Sequence, residues 1–254
     1  MKTIRNIVLL AMAIALVAPA AASAMDADEL IAKHLEAIGG EKNLRAIESV
    51  KATGKFMTQG MEIPFTMTHK RPNRMRLEAQ VMGMTMVQCY DGERGWAVNP
   101  MTGSEDPQPM SEIEEKGFKL QADMDGLLVD YADKGYTVEY LGEDEVEGTA
   151  AHKLRLDTGE DIVLEYFIDN DYVLIIKQDS KLTFEGNEIE SSTNKSDYQE
   201  IEGMVVPFAI ETRRGDAVMN QIMIETVEYD VPVDETIFVM PEKQVEEPAP
   251  AEEK

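Results

Sequence analysis

The feature that most constrains this chain is a succession of short segments in which apolar and polar residues alternate, each closed by a turn signal. Met61, Ile63, Phe65 and Met67 face one way, and Glu62, Pro64, Thr66 and Thr68 face the other. Met75, Leu77, Ala79 and Val81 then oppose Arg74, Arg76, Glu78 and Gln80, and His152, Leu154 and Leu156 alternate with Lys153, Arg155 and Asp157. Gln59-Gly60, Arg71-Pro72-Asn73, Asp91-Gly92, Thr158-Gly159-Glu160, Asp169-Asn170-Asp171, Glu202-Gly203 and Arg214-Gly215-Asp216 supply the turns. The spacing predicts about eleven to thirteen strands, the pattern of a sandwich or barrel. No strand–helix–strand alternation supports a doubly wound sheet. Because one face is repeatedly apolar and the other polar, we expect a curved antiparallel sheet with one covered face.

Helices are predicted in two places only. Asp26 to Ile38 carries Leu30, Ile31, Leu35 and Ile38 at helical spacing behind an acidic first turn, and Gly39-Gly40 ends it. A shorter piece follows over Glu41 to Ile47. Between Thr102 and Gly135 the strand rhythm breaks. There Ser111 and Glu114 have the spacing of a capping box, and Phe118, Leu120, Met124, Leu127, Leu128 and Tyr131 recur at helical intervals. One or two amphipathic helices inserted between strands are expected.

The ends read differently from the middle. Lys2 and Arg5 precede an apolar run from Ile7 to Val17, and Ala22-Ser23-Ala24 is a small-x-small site. Residues 1–24 therefore read as a signal peptide cleaved after Ala24, which predicts export to a periplasm. Residues 25–240 read as one domain and 241–254, rich in Pro, Glu, Ala and Lys, as a disordered acidic tail. The formal net charge of −25 argues against nucleic acid and anionic membrane surfaces as partners. With a single cysteine, Cys89, no intramolecular disulfide is possible, so stability rests on a core.

Catalytic constellations are missing from the sequence. His34, His69 and His152 are not spaced as metal ligands, and there is no Gly-x-Ser-x-Gly elbow, phosphate-binding glycine loop or His-Glu-x-x-His. Cys89 sits in an apolar strand without a basic partner, the setting of a structural thiol. Asp123-x-Asp125 and Asp169-x-Asp171 lack the remainder of a calcium loop. No enzyme activity and no cofactor are expected. What remains is a concentration of thioethers: Met57, Met61, Met67, Met75, Met82, Met84 and Met86. Three readings stay open on the residues alone. They are a Met-rich core, a deformable cavity for acyl chains, and a Cu(I) site built on Met82, Met84 and Met86. A module with a filled interior that acts only through its surface is the bland alternative.

The order of several short motifs adds to this. Ile38-Gly39-Gly40-Glu41-Lys42-Asn43-Leu44, Tyr90-Asp91-Gly92 with Gly95-Trp96 and Asn99-Pro100, Val146-Glu147-Gly148-Thr149-Ala150-Ala151-His152-Lys153-Leu154, Phe167-Ile168-Asp169 and Gly203-Met204-Val205-Val206-Pro207-Phe208 follow one another along the chain. Over residues 28–240 this resembles the outer-membrane lipoprotein-sorting proteins, relatives of the periplasmic lipoprotein carrier LolA and its receptor LolB. The resemblance implies an incomplete antiparallel β-barrel, covered by the N-terminal helix and an inserted helical lid. It also implies an apolar interior for lipoprotein acyl chains or lipid, and partner proteins at the inner and outer membranes. Phe65, Met67, Met82, Met84, Met86 and Trp96, with Leu127 and Leu128 from the lid, are the residues expected to line that interior. Arg74 and Arg76, in an early strand, are the expected positions of the arginine that holds the lid.

Overall fold

The computed structural model describes residues 26–58, 60–103, 105–159 and 161–242. The expected signal peptide and all but the first two residues of the expected tail lie outside them. The helices α1 (Ala27–Ala37) and α2 (Glu41–Ala46) come first. A meander follows: β1 (Ser49–Thr58), β2 (Met61–Lys70), β3 (Arg74–Val81), β4 (Met84–Tyr90), β5 (Gly95–Val98) and the two-residue β6 (Gln108–Pro109). After α3 (Glu112–Gln121) the meander resumes as β7 (Thr137–Val146), β8 (Thr149–Asp157), β9 (Ile162–Asp169) and β10 (Ile175–Phe184). It ends with β11 (Asn187–Ile201), β12 (Met204–Arg214) and β13 (Ala217–Tyr229).

All thirteen strands form one antiparallel sheet in the order β6-β5-β4-β3-β2-β1-β13-β12-β11-β10-β9-β8-β7. Every neighbouring pair is a sequence-local hairpin except β1 with β13, where the chain's last strand returns to its first, Val50 opposite Tyr229. The sheet is therefore two meanders joined in the middle. Its edges, β6 and β7, are not paired with each other, so the barrel is incomplete. The chain between these edges crosses over one face. We call that covered face the inner one.

Side-chain alternation and register fix which residues lie there. Ala52 is opposite Met67 and Met67 opposite Leu77, while His69 is opposite Met75 and Met75 opposite Tyr90. Met75 and Tyr90 are buried under Phe118 of α3 and Ala122 just after it. At the other wing, Leu30, Ile31 and Leu35 of α1 pack with Leu128 and Val129 on Leu154, Leu156, Leu164, Tyr166 and Ile168. Truncating one of these fully buried leucines to alanine costs about 2–5 kcal/mol. Glycine is required where α1 ends: Gly39 has φ +120°, and a Cβ there would lie 2.4 Å from the Gly203 carbonyl oxygen. The Val205 N–H donates to the Ile38 carbonyl at 3.0 Å, so the first and last of the motifs quoted above meet in space.

Of the one or two inserted helices expected, one forms. The region after α3 is not a second helix. Residues 123–135 form consecutive turns, because Asp123 accepts the Asp125 N–H, Gly126 takes φ +79°, and Asp130 takes φ 49°. The helical spacing of Met124, Leu127, Leu128 and Tyr131 reflects apolar side chains turned to the same floor. Strand β10 runs unbroken through Lys181 to Phe184. The capping box did form, with the Glu114 carboxylate accepting from both the backbone N–H and the hydroxyl of Ser111.

Candidate functional site

The inner face is too wide for its helices to fill, and two apolar hollows remain between roof and floor. The larger, about 480 Å³, lies between His34 and Leu35 of α1 with Ile38 just after it, Leu120 of α3, Leu127 and Leu128 of the turn segment, and the floor strands β9 to β11. Ile162, Leu164, Tyr166, Ile175 and Leu182 form that floor together with Gln178, Ser180 and Lys195. The smaller, about 280 Å³, lies under Leu44, Ile47 and Met124. Its floor is Val50, Ala52, Met67, Met204, Val206, Ile210, Ile224, Val227 and Tyr229. Lys195 of the first hollow and Ile210 of the second are cross-strand partners, so the two spaces lie side by side. Hollows of about 520 and 550 Å³ also exist on the outer face, but Arg155, Glu165, Asp179, Lys181, Glu211 and Arg213 line them, which is wrong for an apolar guest.

The roof is tied down at one side by Arg71, in the turn between β2 and β3. Its guanidinium donates to both carboxylate oxygens of Asp125 at 2.6 and 3.0 Å, to the Leu44 carbonyl at 2.9 Å, and to the Ile47 carbonyl at 2.7 Å. This bidentate pair links the sheet, the end of α2 and the turn segment. The Arg71 guanidinium holds the Asp125 carboxyl below the usual carboxylate range. Lys134 pairs with Asp123 and donates to the Gly126 carbonyl, closing the same segment on itself. At the other end of the roof, Lys116 of α3 pairs with Asp161 in the β8–β9 hairpin at 2.9 Å, and the Glu115 carboxylate accepts the Gly95 N–H. The single helix α3 thus spans from β5 to the hairpin of β9.

The sequence-derived residues divide. Leu127 and Leu128 line the larger hollow and Met67 the smaller one. Phe65 is buried on the inner face against Phe56, ring centroids 4.6 Å apart. Met84 and Met86 are half-buried and also face inward, Met86 opposite Ala79, which is opposite Phe65. They stand beyond the roofed part of the floor and line neither hollow. Met82 does not belong to the site: it is 80% exposed with φ 52° in the β3–β4 turn. The Met82-x-Met84-x-Met86 run is therefore broken by the turn and does not present three sulfurs from one strand face.

Trp96 is also misplaced by the sequence reading. It pairs with Cys89, whose neighbours Met86, Gln88 and Tyr90 alternate with it, so Trp96 and Cys89 point outward. There Phe238, 1% exposed, covers them, and the Trp96 indole N–H donates to the Phe238 carbonyl at 2.8 Å. Burial pushes the Cys89 thiol up to about 12. Arg74 and Arg76 serve this outer patch as well. Arg74 pairs with Glu235, and Arg76 donates to Glu78 and the Ile237 carbonyl and lies 5.5 Å from the Trp96 ring centroid. The arginine holding the roof is Arg71, not either of them.

Sequence reasoning missed most of the larger hollow's floor and the polar group inside it. His34 is buried and its Nδ1 donates to the Val173 carbonyl at 2.8 Å. Desolvation keeps His34 below its ordinary value. Lys195 stands on β11 among apolar neighbours, and burial pushes its ammonium down. Its alternation partners Thr193 and Ser191 are polar, so β11 carries no apolar pattern to reveal an inward face.

No protein-family model and no curated protein sequence matches the chain. Solved structures do. A LolA superfamily protein from Nitrosomonas europaea superposes with a TM-score of 0.57 at 11% identity, covering 85% of this chain and 98% of its own. A DUF1329 family protein from Desulfovibrio piger gives a TM-score of 0.57 at 12% identity over 84% and 96%. A domain assigned to outer membrane lipoprotein sorting from Vibrio parahaemolyticus gives 0.55 at 9% identity over 83% and 94%. The incomplete barrel with its helical roof is thus the fold of the LolA-like outer-membrane lipoprotein-sorting proteins.

Proposed function

We propose that this protein is an exported carrier that binds lipid or lipoprotein acyl chains between the sheet and its roof and delivers them in the periplasm. The observation that carries this reading is the roofed hollow of about 480 Å³ lined by leucines and isoleucines from α1, α3, the turn segment and the floor strands. Burying an acyl methylene stabilises a complex by about 0.8 kcal/mol, so even part of a chain supplies affinity. The LolA-like fold and the signal-peptide pattern of residues 1–24 support export and a sorting role. The lining supports binding rather than catalysis, since it carries no paired acid and base, and the one thiol lies on the opposite face under Phe238.

Native mass spectrometry of protein purified from its own host, together with titration of a neutral solvatochromic dye, tests this. A co-purifying lipid mass and saturable dye binding that host lipid extract displaces are expected. Protein that carries no lipid and binds no dye saturably overturns the reading.

A further inference from the structure

The larger hollow contains a cation without a counter-ion. Among the described residues, no carboxylate or carbonyl is in ion-pair or hydrogen-bond reach of Lys195. The lysines at 55, 116, 153, 177 and 181 all rest on carboxylates. Among the other polar residues lining the same space, the Asp125 carboxylate is held by the Arg71 guanidinium, and the rest carry no negative charge. Gln178 has no side-chain hydrogen-bond partner among the described residues, Ser180 is taken up by Ser191 at 2.7 Å, and His34 uses its Nδ1 on Val173. A half-buried ammonium lining the same hollow as Leu35, Ile38 and Ile175, with no protein partner, gives up part of its hydration without return from the protein. Such a group persists in a binding cavity when a ligand completes it.

We propose, resting on the carrier reading above, that the larger hollow takes a free fatty acid, its carboxylate on Lys195 and its acyl chain running along the floor beneath α3. The geometry sets the direction. Lys195 lies one residue beyond the Lys177–Asn194 pair, near Ile175 and α1, whereas Leu182 pairs with Ile162 at the far end of the hollow under Leu120. Six strand residues separate those levels, about 20 Å, which suits one extended acyl chain. The charge sets the head group. One ammonium with a neutral amide beside it matches a monoanionic carboxylate. A phosphate head with two charges needs more cations than the cavity lining provides. The overall charge of −25 disfavours polyanions further. The guest also answers the lysine's partial burial, since an ion pair shielded from bulk water restores what desolvation removes.

Displacement of the neutral dye Nile red by palmitate and by methyl palmitate, which share a chain and differ in charge, tests this in the wild type and in K195M and K195R. Palmitate is expected to displace at least about tenfold more tightly than its ester, the worth of one charge-assisted contact. K195M is expected to shrink that ratio to within about twofold, and K195R to keep it above about fivefold. Unfolding midpoints of both variants confirm that they are folded. If neither palmitate nor its ester displaces dye from any variant, the carrier reading itself fails. If the ester equals palmitate in the wild type, or K195M leaves the ratio intact, the carrier reading stands and the carboxylate site is overturned. Tighter displacement by a lysophosphatidic acid of the same chain length would overturn the assignment of the head group.

Discussion

Removing Arg71 should unlatch the roof, and the expected cost follows from its contacts. R71M deletes two donors to Asp125 and one each to the Leu44 and Ile47 carbonyls. A fully exposed pair would contribute about 0–1 kcal/mol, and breaking a fully buried one costs about 3–5 kcal/mol. The Arg71 and Asp125 side chains are each 18% exposed, nearer the buried case, and the two carbonyls lose a charged donor at the same time. We expect about 2–4 kcal/mol for R71M. For D125N, which keeps the shape and loses the charge, about 1–2 kcal/mol is expected. In urea, with a slope of about 2–3 kcal/mol/M, R71M should lower the midpoint by about 1 M. The R71M/D125N double mutant should cost less than the sum of the two, giving a coupling of about 1–2 kcal/mol. The pH dependence has a definite sign. Arg71 depresses the Asp125 carboxyl in the folded state, so the stabilisation is complete above the unfolded carboxylate value near 4 and is lost as pH falls below it. The gap between wild type and D125N should therefore close in acid. A second readout is the release rate of bound dye, which should rise in R71M. Single-mutant costs below about 0.5 kcal/mol, with no coupling and unchanged release, would refute the latch.

Three further outcomes follow from placements on either face. Cys89 is buried with its thiol pushed up to about 12, so native protein should resist a disulfide reagent at pH 8 and react fully in urea. F238A should cost about 3–5 kcal/mol, and because Trp96 is the only tryptophan, its emission should shift to the red as the outer cover loosens. His69 has a buried Nε2 without a partner and is pushed down to about 4. The unfolded chain takes up the proton first, so stability should be full above about pH 6.5 and fall by about 2–3 kcal/mol towards pH 4, a slope that H69L should flatten.

The strand count, the inward set on β2 and β3 and the helix over residues 27–37 were legible because one face of those elements is buried and the other wet. Alternation reports that difference directly. Trp96 was misread because β5 is covered on its outer face by Glu235–Phe238, from far along the chain, and no local pattern announces a contact between residues 142 apart. Met82 was misread because residues at 82, 84 and 86 share a face only if the strand continues, and Gly83 at φ +83° turns it instead. Arg71 was missed because it lies in a turn, where period carries no information. Lys195 was missed because the inward face of β11 is polar (Ser191, Thr193, Lys195), so burial of that lysine depends on neighbours from α1 and β10.

The same distribution of contacts separates the fixed part of the roof from the part able to move. In α1, Leu30, Ile31 and Leu35 are 1%, 5% and 8% exposed, and the helix is hydrogen-bonded onto β12 through Ile38. Dislodging it would expose a contiguous core and cost most of the domain's stability. The stretch from α3 through residue 135 is held otherwise. Phe118, Ala122, Leu128 and Val129 are buried, but its ties to the sheet also include polar ones (Lys116–Asp161, Arg71–Asp125), Lys134–Asp123 closes it on itself, and Leu120 and Leu127 over the larger hollow are not fully buried. Polar ties of this kind exchange with water at modest net cost, whereas apolar surface uncovered as the roof lifts is covered again by an incoming acyl chain. Fourteen methylenes would contribute about 11 kcal/mol if all were buried, which would make release too slow for a carrier. A roof that gives way at its polar anchors, over a cavity that covers only part of such a chain, keeps the bound state below that limit. On the proposed reading, capture is driven by the leucine-lined floor, and release is set by the ion pairs at the ends of the roof.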